Sequence, residues 1–165
     1  MKRLCLLLQL GSAGPAQSCD LDPLTAALAA PLEQRQALEF EVAVPQMTEG
    51  GVWRIYRDNT KNVTDILRLD GGESGRIETR LSFAGPRLYG ISRTRFDYIR
   101  HAFLEGPFAI ARVETHFYYF CGGKPYAPPQ DSTMLDNPVH VKEAEAARAG
   151  FLRAKEIAAY VGGLR

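Results

Sequence analysis

The chain has 165 residues, 45% of them hydrophobic and 24% charged, with 20 Lys and Arg against 19 Asp and Glu. That composition fits one globular domain with a real core and excludes disordered and fibrous classes. The formal charge of +1 supplies no global field to draw the chain to nucleic acid or to an anionic membrane.

The N-terminus has the order of an export signal. Met1-Lys2-Arg3 is a short positive region, Leu4 to Leu10 is apolar apart from Gln9, and Gly11 to Ser18 is small and turn-forming. Ala16-Gln17-Ser18 places small residues where a signal peptidase reads, which predicts a signal at residues 1–18 cleaved before Cys19, with cleavage before Gln17 as the second choice. The apolar run is far short of the roughly 20 residues a membrane-spanning helix needs. Residues 1–18 carry Lys2 and Arg3 and no acid, so cleavage leaves 18 basic against 19 acidic residues, a balance of −1. A cysteine directly after a cleavage point is also what a bacterial lipoprotein carries, so membrane attachment enters only through lipidation of Cys19. Cys5 leaves with the signal. Cys19 and Cys121 remain, an even number in a compartment where disulfides persist, and a bridge between them would close a loop of about 100 residues. Two unrelated thiols are the other reading.

Along the remaining chain, Asp22-Pro23 predicts a helix start, with Leu24, Ala27 and Leu28 at helical spacing before Pro31 breaks it. From Glu39 the period becomes two, and Phe40, Val42 and Val44 alternate up to Pro45 as a strand. Further strands are expected over Val52 to Arg57, Val63 to Leu69, Arg76 to Phe83, Leu88 to Tyr98 and Val113 to Cys121. Turns at Asp58-Asn59, Asp70-Gly71-Gly72, Ala84-Gly85-Pro86 and Gly122-Gly123 separate or end them. Ile77, Thr79, Leu81 and Phe83 alternate with Arg76, Glu78, Arg80 and Ser82, as a sheet with one wet face requires. The expected interior is Ile77, Leu81, Phe83, Val113, Phe117 and Tyr119. Ile99 to Ile110 reads as a helical turn and loop, and Tyr126 to Asp131 as a proline-rich linker. A final helix carries one stripe from Ala144 through Phe151 to Val161, stopped by Gly162-Gly163. The fold class is therefore α+β, an antiparallel β-meander sheet with a C-terminal helix packed on one face, in a single exported domain over residues 19–165.

Trp53-Arg54-Ile55-Tyr56-Arg57-Asp58 and Phe117-Tyr118-Tyr119-Phe120-Cys121-Gly122-Gly123-Lys124 each place aromatics on a strand before a tight turn. Over Gly50 to Tyr126 the pattern resembles the β-meander of uncharacterised secreted or periplasmic proteins of Gram-negative bacteria. The resemblance implies a compartment and a fold type and supplies no functional residue.

Catalytic and metal motifs do not emerge. His101, His116 and His140 have no second ligand at a metal-binding spacing. Asp97 stands near His101 and Glu114 beside His116, but residues two apart on a strand share a face in any sheet. Ser74 in Gly-Glu-Ser-Gly lacks the spacing of a nucleophile elbow, Cys121 reads as a buried or bridged sulfur, and the Gly-Gly pairs lack a phosphate-loop lysine, so no cofactor is indicated. The surface with most character is basic and aromatic. Arg76 and Arg80 share one strand face, and Arg93 and Arg95 share another with Tyr89. Were those faces coplanar, four guanidinium groups would suit carboxylates, phosphates or a polyanionic glycan, so that the expected partner is an unknown protein or an anionic glycan. The alternative is a solvated face whose arginines pair with Glu78, Glu114 and Asp97. These features favour an exported, periplasmic or secreted, non-enzymatic binding protein acting through the sheet face or the loop around Phe103 to Phe108. A small histidine-dependent hydrolase and a structural partner in an envelope complex are the alternatives.

Overall fold

The computed structural model describes residues 19–33, 35–42, 50–85, 87–100, 109–127 and 129–164. Helix α1 (Asp22–Ala29) is followed by strands β1 (Ala37–Val42), β2 (Gly51–Arg57), β3 (Val63–Gly72), β4 (Gly75–Phe83), β5 (Leu88–Tyr98), β6 (Ile110–Cys121) and β7 (Lys124–Tyr126). A 3-10 segment (Pro129–Met134), helix α2 (Pro138–Arg153) and two short 3-10 turns, Lys155–Ile157 and Gly162–Leu164, complete it. The strands lie in sequence order in one antiparallel sheet. The class is thus α+β with a β-meander and a C-terminal helix, as the hydrophobic patterning predicts. The proposed signal at residues 1–18, the loop from His101 to Phe108, and Val44 and Pro45 lie outside the described residues.

Turn chemistry sets the meander. Gly122 and Gly123 have φ of +61° and +79°, the left-handed conformations a tight hairpin needs between β6 and β7. Between β3 and β4 the turn falls at Glu73-Ser74, and Asp70, Gly71 and Gly72 continue the strand, pairing with Ile77, Arg76 and Gly75. The turn expected at 70–72 is thus displaced by three residues, because a glycine pair is permissive in a strand end as well as in a turn.

Both faces of the sheet are covered, each by one helix. On the α2 face the row Ile55, Ile66, Leu81, Ile91 and Tyr118 runs straight across five strands by direct pairing. With Trp53, Phe120 and Phe151 it forms the main core. Asn137 caps α2 by accepting from the Val139 N–H at 3.0 Å, and Pro138 occupies the first turn. The helix ends at Arg153, and Ile157 and Leu164 reach the core from the 3-10 turns beyond it, with Val161 between them. The single stripe expected to run to Val161 is therefore divided. No glycine or proline stands at the break; the chain leaves the helix at Ala154 and turns these side chains onto the sheet.

On the other face α1 lies over β4 and β5, seated where Gly90 has no side chain: a Cβ there would stand 3.0 Å from Leu28 and 3.2 Å from Leu24. Leu32, Tyr56 and Leu67 form a second cluster beside it.

The interior expected for β4 is confirmed at Leu81, with Ile77 and Phe83 half-buried. On β6 the phase is opposite to expectation: Tyr118 and Phe120 are buried, whereas Val113 and Phe117 are 55% and 45% exposed. Four consecutive aromatics carry no alternation, so either phase buries apolar rings, and pairing of Tyr118 with Ile91 decides between them.

Candidate functional site

The four arginines expected to form one patch are divided between the faces. Arg80 pairs directly with Ser92, and Thr79 with Arg93, so neighbouring positions in the ladder point to opposite sides. Arg76 and Arg80 lie on the α1 face, and Arg93 and Arg95 on the α2 face. The coplanar arrangement fails because the β4 and β5 arginines stand one residue out of register. Tyr89 is not an exposed flank either: it is 1% exposed and stacked on Phe120 at 4.8 Å. Burial raises the pKa of its hydroxyl, opposed by the nearby Arg148 guanidinium.

On the α1 face, Asp65 is 3% exposed and holds the centre of a polar cluster. Arg80 donates to its Oδ1 through Nε at 3.0 Å and Nη2 at 2.8 Å, Ser82 Oγ donates at 2.6 Å, and Arg35 Nη1 reaches Oδ2 at 2.7 Å. Arg35 also donates to Thr64. The remaining Arg80 protons go to the carbonyls of Ala27, Leu28 and Ala30 at 2.7, 3.0 and 2.8 Å, at the C-terminal end of α1. Burial works against the Asp65 charge, but the Ser82 hydroxyl and the two arginines outweigh it and hold the carboxyl below its ordinary value. Arg80 thus ties α1 to β3 from within.

Below this cluster α1 no longer covers the sheet, and a trough of about 830 Å³ opens between residues 28–33 and strands β2 to β6. Its floor carries Leu67 and Leu69, the hydroxyls of Ser92, Thr94 and Thr115, and the exposed ring of Phe117. Its arginines are already paired: Arg54 with Glu39 at 2.8 Å, Arg76 with Glu78 at 2.8 Å and Arg80 with Asp65.

On the α2 face, pairing sets Trp53, Arg68, Thr79, Arg93 and His116 in one row. Arg68 lies 4.9 Å from the Trp53 ring centroid and pairs with Asp70 at 2.6 Å. Gly51 makes room for that pair, since a Cβ there would meet both side chains within 2.7 Å. Arg95 pairs with Asp97 at 2.7 Å, and His116 with Glu114 at 3.1 Å. Arg93 is exposed and makes no hydrogen bond or ion pair among the described residues. Arg68 and Trp53 were missed as site residues; their only signal was strand register, which a single sequence does not show.

Cys19 and Cys121 are joined in a disulfide with Cα atoms 6.4 Å apart, inside the usual bridging range. The bridge anchors the chain just before α1 to the end of β6, which is followed by one more strand. Among the described residues no three His, Cys, Asp or Glu side chains group as metal ligands, and no helix is long and apolar enough to cross a membrane. Comparison with protein-family models, with curated proteins and with solved structures finds no match for the chain.

Proposed function

We propose that the chain is an exported, periplasmic or secreted protein that binds a partner without transforming it, and that the trough on the α1 face receives an uncharged, partly apolar segment of that partner. The observation that carries this reading is the trough itself. At about 830 Å³ it falls within the size range of preformed ligand clefts, and it combines an exposed aromatic with a row of hydroxyls. Because Arg54, Arg76 and Arg80 each face a carboxylate, the trough has no unpaired cation among the described residues for an anionic glycan. Apolar and hydroxyl-bearing groups match it better. Export is supported by the signal-like order of residues 1–18 and by the disulfide, a bond that persists in oxidising compartments.

Site-specific photo-crosslinking in producing cells tests the binding surface. A benzophenone side chain at Phe117 is expected to give a discrete adduct, and the same group at Val139, more exposed still on α2, is expected to give none. Equal labelling at both positions would defeat the reading. Intact mass of the protein recovered from its compartment is expected to show a chain beginning at Cys19 and lacking two hydrogens.

A further inference from the structure

The α2 face holds a second, smaller cavity, whose chemistry differs from that of the trough. We propose that the pocket between α2 and the sheet, floored by Trp53, Arg68, Thr79 and Arg93, binds a small monocarboxylate with an apolar body. This inference does not depend on the trough or on its partner.

The pocket has a volume of about 270 Å³, suited to a ligand of few heavy atoms. Its roof is Ala146, Ala147 and Gly150, which leave space because they carry little or no side chain. Among the described residues two arginines line it and no acid does. The Arg68 Nε already serves Asp70, but Arg93 has no hydrogen bond or ion pair among the described residues. Glu143 lies in the adjoining cavity, which Arg93 also borders, and there it accepts a 3.5 Å hydrogen bond from Tyr118. Register places Thr79 between Arg68 and Arg93 in the row. A carboxylate set against Arg93 therefore has a fork of charged donors with a neutral hydroxyl beside it. The apolar part of such a ligand meets Trp53 and Phe151, whose rings stand 5.5 Å apart and tilted. Trp53 is 6% exposed, and its indole N–H is buried without a hydrogen-bond partner among the described residues.

Trp53 is the only tryptophan of the chain, so its fluorescence reports this pocket without interference. Titration of the disulfide-bonded protein with cyclohexanecarboxylate is expected to shift that emission saturably, and cyclohexanecarboxamide, equal in shape and uncharged, to do so at least tenfold more weakly. Arg93→Gln is expected to weaken the carboxylate by tenfold or more with an unchanged melting curve. Arg95→Gln, one ladder step away on the same face and outside the pocket, is expected to leave it unaltered. No saturable response to the carboxylate, equal responses to acid and amide, or an Arg93→Gln response equal to that of the parent would overturn the proposal. The acid–amide comparison on the unmodified chain decides the matter even if the Arg93 variant does not fold.

Discussion

Arg80 and Arg93 stand one ladder step apart on neighbouring strands, yet the fold gives them opposite fates. Arg80 points under α1, where all its donors are engaged by Asp65 and by three carbonyls, and its side chain is 12% exposed. Arg93 points to the α2 face, exposed and unpaired among the described residues. The contrast shows that a guanidinium is structural or ligand-ready according to what already faces it. Charge on a sheet says little until its partners are known.

The largest test of that contrast is Arg80→Leu. It leaves the buried Asp65 carboxylate with only Arg35 and Ser82 and uncaps the end of α1, so a loss of about 3–5 kcal/mol is expected, read as a fall of roughly 10 °C or more in melting temperature. Reducing the disulfide, the other tether of α1, is expected to cost about 2–4 kcal/mol by the same assay. A mild Arg80 effect would mean that the bridge alone holds the helix.

Acid sharpens the comparison from the carboxylate's side. Asp65 has its pKa lowered in the folded state, so the stabilisation it provides is fully present above the unfolded-state value of about 3.9 and is lost as pH falls from there through the lower native value. Melting temperature is expected to drop below about pH 4, and Asp65→Asn, which cannot titrate, should show a shallower drop. Parallel curves for the two proteins would remove Asp65 from the account.

The smallest effect belongs to Arg93. Replacing an exposed side chain with no partner is expected to leave the melting temperature within about 2 °C of the parent, while carboxylate binding is lost. A large loss of stability would make Arg93 a second Arg80.

Local patterning was informative where neighbours in sequence are neighbours in space. The helix at Asp22–Ala29 follows from Pro23, helical spacing and Pro31, and β5 occupies Leu88–Tyr98 because turn residues precede it. The alternation on β4 placed Leu81 inside correctly. It failed for the aromatic run of β6, where both phases are apolar, and for Arg80, whose partners lie 15 residues away at Asp65 and 50 or more away in α1.

The sequence by itself determined the class of fold and the order of strands along the chain, because each rests on composition, period or turn chemistry within a few residues, whereas it left open whether Cys19 and Cys121, 102 residues apart, meet. Only the tertiary structure decided which arginines are occupied. That depends on the one-residue offset between β4 and β5 and on which helix covers which face. Both are settled by packing between segments far apart in the chain, and a shift of one residue in register exchanges every side chain between the two faces.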